Sequence, residues 1–175
     1  MNLKSKVRKI PYNKKKILDV IRSCALQHNI DLYFVGGIVR DLILNRKKYD
    51  FDFCIDGNMK QLRMLVMEVM KKLDVQVRLY PQFFTAKLIL GEDCIDFSCP
   101  RREKYLHPGD LPRVERCSLK EDVLRRDFTI NTLYLALNKD NFGELIELIP
   151  SALEDIRRRL LRAVSYTHLT LPTKA

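Results

Sequence analysis

Asp50 and Asp52 stand two residues apart in the segment DFDFCID. On an alternating strand both carboxylates leave the same face. Held that way they repel each other unless a cation lies beside them, and their hard oxygens suit Mg²⁺. Two such ions about 3.5–4 Å apart can activate an attacking oxygen and stabilise a leaving one in phosphoryl transfer. A third carboxylate, Asp96, lies between Cys94 and Ser98 on the polar face of CIDFSC. If that strand adjoins the first, Asp96 faces the same cleft. Each pattern taken alone also describes an ordinary solvated strand face.

Two further groups could handle phosphate. Gly36 and Gly37 sit between a candidate strand and a short helix, where backbone can approach a ligand and unpaired N–H groups can meet an anion. Arg40 adds forked donors that suit phosphate. By itself a Gly-Gly pair also fits a plain tight turn. Arg125, Arg126 and Asp127 precede the apolar residues Phe128, Ile130 and Leu133. Asp127 and Thr129 have the character of helix-start residues. Two arginines ahead of a helix could grip a triphosphate, or form a surface ion cluster.

These groups need elements to hold them. Ile17, Leu18, Ile21, Cys24 and Ala25 recur at helical spacing and predict a helix over 15–28 that stops near Asn29. LYFVGG reads as a buried strand ending in a turn, followed by a short helix from Ile38 to Leu44. In Asp50 to Asp56, Phe51, Phe53 and Ile55 take one face, and Asp50, Asp52, Cys54 and Asp56 take the other. Asn58 and Gln61 have capping-box spacing ahead of the stripe Leu62, Leu65, Val66, Val69, Met70 and Leu73. Strands are expected over 74–80, 84–90 and 93–99, and a proline-bearing loop over 100–118. Arg125 to Leu137 reads as a helix or a helix leading into a strand. A short strand is expected over 145–148 and a helix over 151–159.

The composition suits a water-facing domain with a sizeable core, at 46% hydrophobic and 31% charged. No apolar run approaches the roughly 20 residues of a membrane span, and no secretory h-region follows the basic start. The net charge of +10 suits a polyanionic partner such as nucleic acid and equally well describes a solvated basic surface. Five cysteines without a C-x-x-C pair argue against a zinc site or a disulfide framework and for a cytoplasmic setting.

The order of the motifs carries a resemblance. GGIVRDLILNRKKYDFDF, from Gly36, resembles motif A of the class II tRNA nucleotidyltransferases and bacterial poly(A) polymerases. RRDFTINTL, from Arg125, resembles their motif B. The stretch between, IDFSCPRREKYLHPGDLPRVE, has Asp96, Arg101, Glu103 and Tyr105 at the matching positions. The likeness runs from about residue 15 to Val164.

The resemblance implies an α/β (α+β) fold, a polymerase-β-like nucleotidyltransferase head with a mixed β-sheet and flanking helices. It implies Mg²⁺ on Asp50 and Asp52, and Asp96 as the third catalytic carboxylate. Gly36, Gly37 and Arg40 would hold the triphosphate. Arg125, Arg126 and Asp127, with help from Asn131, would hold the nucleotide's phosphates and ribose. The implied reaction is template-independent addition of nucleotides from ATP and CTP to an RNA 3′ end, foremost CCA addition to tRNA. Poly(A), CC-adding and A-adding polymerases are close alternatives, and a head that binds nucleotide or RNA without turnover is another.

The sequence departs from the family in three places. Asn45 stands for the glycine after the motif A helix, and asparagine shares the tolerance for a left-handed C-cap. Glu147 and Pro150-Ser151 stand where the family has a DPFGG-like turn. Nothing after Val164 resembles the helical neck with its base-selecting ED-x-x-R motif. The expected organisation is a basic N-terminal extension (1–12), the head (13–149), the start of a head–neck connection (150–164) and a tail foreign to the domain (165–175). A chain so organised is expected to be inactive or unselective by itself, with some apolar surface exposed.

Overall fold

A phenylalanine ladder sets the register of the sheet. In the computed structural model, Phe34, Phe53 and Phe97 lie side by side on three neighbouring strands, with ring centroids 4.9 Å apart in each adjacent pair. Each ring is fully buried, which contributes about 2–3 kcal/mol per side chain. The stacking adds about 0.5–1.5 kcal/mol per pair. A one-residue slip would turn every ring to the opposite face, so the pairing is strongly specified. The structure describes residues 1–91, 93–105, 112–138 and 140–164. The expected foreign tail, 165–175, lies outside the described residues.

In chain order the elements are α1 (Lys4–Val7), α2 (Tyr12–Gln27), β1 (Leu32–Val35), α3 (Gly37–Ile43), β2 (Asp52–Ile55), α4 (Met59–Lys72), β3 (Gln76–Tyr80), β4 (Thr85–Leu90), β5 (Asp93–Ser98), β6 (Arg101–Lys104), β7 (Arg113–Arg116), α5 (Leu119–Asp122), β8 (Tyr134–Ala136), β9 (Leu145–Ile146) and α6 (Ala152–Arg158). Seven strands form one sheet in the order β3-β4-β5-β2-β1-β8-β9. β2 and β5 run parallel, and the other neighbours are antiparallel. The sheet is therefore mixed, as expected. Strands β6 and β7 form a separate hairpin.

The Phe53 face of the sheet carries the main core. Leu18 and Ile21 of α2 and Leu62, Leu65, Val66 and Val69 of α4 are buried there with Phe34, Ile55 and Phe97. The other face holds a smaller cluster of Tyr33, Val35, Cys54, Val123, Tyr134 and Ala136. Helix α4 starts at the expected capping box: Gln61 N donates to Asn58 Oδ1 and Asn58 N to Gln61 Oε1, both at 3.0 Å. Asn29 and Asn45 both take left-handed backbone, at φ 50° and 55°, just beyond α2 and α3. Asn45 thus fills the backbone role of a C-terminal glycine. All five thiols are free.

Several expectations need correction. Residues 1–12 do not stand apart as an extension. Leu3, Val7 and Ile10 are buried in the main core, and Leu3 N donates to Gly143 O. Helix α2 accordingly begins earlier than expected, directly after Pro11. The expected loop at 100–118 contains the β6–β7 hairpin, between whose strands residues 106–111 lie outside the described set. Arg125 to Leu137 does lead into a strand, as one of the two expected readings had it, but no α-helix precedes that strand. It forms two 3₁₀ turns, Val123–Arg125 and Thr129–Asn131, and then β8. A continuous helix fails because the backbone of 127–129 bonds elsewhere: Thr129 N donates to Arg162 O and Val164 N to Asp127 O. Exposed apolar side chains do occur, among them Leu124, Leu160 and Leu161.

Candidate active site

β1 ends at Val35 and gives way to Gly36, whose φ of 68° and ψ of −136° suit glycine alone. A Cβ at that position would lie 3.6 Å from Asp52 Oδ2, so the turn runs close against a carboxylate. The same turn carries β1 away from β2, whose pairing with β1 runs only from Ile55 to Phe53. β2 begins at Asp52, one residue beyond the β1 ladder, where Asp52 pairs with Asp96 of β5. Asp50, expected on the strand, precedes it, is exposed, and pairs with Lys48 at 2.8 Å.

Asp52 and Asp96 are direct partners in the parallel register of β2 and β5. Both occupy the sheet face opposite the phenylalanine ladder. Burial pushes the Asp52 carboxyl up to about 6, and the charges of Asp96 and Asp50 add to the effect. On the other side of β5, Lys87 of β4 is the register partner of Asp96, with Nζ 3.1 Å from Oδ1.

These groups line a cleft of ≈490 Å³ whose walls include Gly36, Asp52, Asp96, Lys87, Arg125 and Arg126. Five residues singled out from sequence therefore share one cavity. Arg40 lies apart from its lining: its Nε donates to Asp41 Oδ1 at 3.0 Å and its Nη1 to Asn131 Oδ1 at 3.1 Å. Gly37 lies beside this pair, since a Cβ there would come 3.4 Å from Arg40 Nη2. Asp127 is exposed and is not among the lining residues. Thr129 starts a 3₁₀ turn but caps nothing; its hydroxyl donates to buried Asp155 at 2.7 Å.

The arginine wall rests on a residue that sequence reading passed over. Asp122, 1% exposed, accepts from Arg125 Nη2 at 2.8 Å, Arg126 Nη2 at 2.9 Å, the Tyr134 hydroxyl at 2.7 Å and Arg101 N at 3.1 Å. Burial alone would push its carboxyl up. Arg126, Arg125, Tyr134 and the Arg101 amide outweigh that and hold it below the usual range. Its spacing, three and four residues ahead of the two arginines on a turn capped by Ser118, was the available signal. Glu103 extends the network: Arg101 Nε donates to it at 3.1 Å and the Tyr105 hydroxyl at 2.8 Å. Lys87 was also missed, because a lone lysine on an alternating strand gives no signal.

The donor set fits a divalent cation. Asp52 and Asp96 offer hard oxygens, and the Asp52 carboxyl, raised by burial first and by the Asp96 and Asp50 charges second, is one whose charged form a cation would favour. Among the described residues no group of three carboxylate, imidazole or thiol side chains already converges as a cage. Asp50 and Asp96 are each held by a lysine instead.

Comparisons with known proteins agree with this architecture. The chain is 39% identical over 132 residues to the A-adding tRNA nucleotidyltransferase of Aquifex aeolicus, covering 75% of this chain and 16% of that protein. A solved structure of a CCA-adding enzyme in its second apo form superposes with a TM-score of 0.77 at 31% identity, covering 94% of this chain and 38% of that one. A tRNA nucleotidyltransferase complexed with a primer tRNA and an incoming ATP analog gives a TM-score of 0.67 at 33% identity, covering 83% and 39%. The chain thus spans well under half the length of the proteins it matches. Nucleotidyltransferases of this kind generally use a divalent metal. The family model described as the poly(A) polymerase head domain matches residues 32–162, and the chain belongs to that family.

Proposed function

We propose that this chain is the nucleotidyl-transferring head of an enzyme that extends RNA 3′ ends without a template, with tRNA as substrate and CCA addition as the activity of the whole protein. The observation that carries the reading is the parallel pairing of Asp52 with Asp96 beside a wall of Arg125 and Arg126.

In this reading Asp50 and Asp52 hold Mg²⁺, which neutralises phosphate charge and polarises the reacting oxygens when bound. Asp96 orients the RNA 3′-hydroxyl and takes up its proton at a carboxylate oxygen. The hydroxyl oxygen attacks the α-phosphorus of ATP or CTP in line, and pyrophosphate leaves. Arg126 and Arg125 bind phosphate oxygens, held in place by Asp122. Gly36 leaves room beside Asp52 for the triphosphate, whereas Gly37, Arg40, Asn131 and Asp127 stand outside the lining of this cleft. No helix of the described residues is long and apolar enough to cross a membrane, and the free thiols fit a cytoplasmic setting.

A-addition alone is the second reading, favoured by the similarity to the Aquifex A-adding enzyme. The test is calorimetric titration of the folded chain with ATP and CTP, with and without Mg²⁺, followed by incorporation onto transcripts ending in the discriminator base or in CC. Mg²⁺-dependent binding that Asp52→Ala abolishes supports the reading. Incorporation of ATP only, onto CC ends only, favours the second. A folded chain that binds neither nucleotide overturns both.

A further inference from the structure

A second cationic recess lies away from the cleft. Lys4, Arg8, Lys15 and Arg22 converge with Asp19 and the Phe142 ring around a hollow of ≈390 Å³. It is built by α1, α2 and the turn between β8 and β9. α2 packs on the phenylalanine face of the sheet through Leu18 and Ile21, whereas Asp52 and Asp96 project from the other face. The recess and the cleft share no lining residue.

The recess is constructed, not incidental. Gly143, at φ 86°, brings the β8–β9 turn against α1, and a Cβ there would lie 2.5 Å from Lys4 N. Asn2 Oδ1 accepts from that same amide at 2.9 Å. Arg22 is aimed by a hydrogen bond from Nε to Leu137 O at 2.8 Å, and its guanidinium lies 4.0 Å from the centroid of Phe142. The single carboxylate, Asp19, is already engaged with Arg22 at 3.5 Å. Among the described residues, no hydrogen bond or ion pair engages the side-chain charge of Lys4, Arg8 or Lys15. Three cations without a protein counter-charge around one concavity favour the entry of an anion. The Arg22–Phe142 stack adds a flat surface of the kind on which a base stacks.

We propose that this recess binds a backbone phosphate of RNA, giving the domain a second nucleic-acid contact on the face opposite the cleft. That the RNA is also the substrate of the cleft rests on the function proposed above; the recess itself is a separate site. An anionic site of this chemistry could also take a free nucleotide, but a flat π-surface beside three unpaired cations matches a polymer with alternating phosphates and bases.

The test is binding of a labelled RNA hairpin with a single-stranded 3′ end to the chain, titrated across salt. Three proteins are compared: wild type, the triple variant Lys4→Gln, Arg8→Gln, Lys15→Gln, and a control of equal charge change, Lys9→Gln, Lys16→Gln, Lys60→Gln. Loss of the recess should weaken binding at least tenfold at low salt and flatten the log–log salt slope by about 1, as expected for losing one phosphate contact. The control should change affinity less than threefold. Equal losses in both triples would reduce the recess to general charge and overturn the proposal. So would a loss seen for ATP but not for RNA, which would make it a free-nucleotide site. RNA binding that is absent altogether, in a chain that still binds ATP with Mg²⁺, overturns this proposal and leaves the proposed function standing. Binding that is intact in the recess variant but lost in Arg126→Ala overturns this one alone.

Discussion

Lys87 and Asp96 face each other across the β4–β5 ladder, the ammonium nitrogen 3.1 Å from a carboxylate oxygen. The lysine therefore occupies an oxygen that the proposed function assigns to catalysis. Lys87→Met removes this competitor and one positive charge from the cleft. An exposed pair of this kind is worth up to about 1 kcal/mol, so cation affinity should rise two- to fivefold. Titration with Mn²⁺ followed by electron paramagnetic resonance reads this directly. Unchanged or weaker binding would mean that the lysine does not compete with the cation.

Asp52 makes cation binding depend on pH. With its carboxyl pushed up to about 6, affinity should fall about tenfold for each pH unit below that value. The sign for stability runs the other way. The folded value lies above the unfolded 3.8, so the group's contribution is full below about pH 4 and is lost as pH rises through about 6. In chelator-treated protein the melting temperature should carry a declining component between those limits, which Asp52→Asn removes. Melting curves at half-unit pH steps, with and without Mg²⁺, check both statements.

Asp122 should matter far more to stability than the Tyr134 hydroxyl that donates to it. Asp122→Asn leaves Arg126 buried without its counter-charge, which costs about 3–5 kcal/mol. Tyr134→Phe removes only one hydrogen bond and should cost about 1 kcal/mol. Because the folded carboxyl lies below its ordinary value, its stabilisation is present above about pH 4 and is lost as pH falls through the folded value. Urea denaturation of the two variants at pH 7 and pH 4 gives the ranking. Equal costs for both substitutions would contradict the central place of the carboxylate.

Left-handed backbone at non-glycine positions offers a stability test free of the active site. Arg159 ends α6 at φ 56°, a conformation that disfavours a side chain. Arg159→Gly should raise stability by about 0.5–1 kcal/mol. Asn45→Gly, at φ 55°, should change it by a few tenths only, because asparagine already tolerates that region. The difference between the two midpoints in urea decides the point.

The helices α2 and α4 and the strands β1 to β5 were legible because their apolar periods are regular, and the Asn58 capping box gave its position directly. The pairing of Asp52 with Asp96 was open until the register was known, since alternation fixes a face but not a neighbour. Asp50 was misread as a strand residue because the alternation of the letters extends beyond Asp52, where the paired strand begins. The segment around Arg126 resisted reading because its backbone bonds lie with residues 162–164, a long-range contact that no local pattern reveals. Leu3, Val7 and Ile10 are spaced as one apolar stripe, but the surrounding lysines masked it.

The backbone of the first residues has a bearing on how the protein can be handled. Leu145 N donates to Met1 O at 3.1 Å, and Asn2 pairs with Glu144 as an antiparallel bridge. These contacts lie along β9, the outermost strand on that side of the sheet. The amino end thus shields open hydrogen-bonding groups that would otherwise recruit strands from other molecules. Trimming those residues, or pulling them away with a bulky fusion partner, would unzip that cover and leave the β9 edge open to pairing with other molecules.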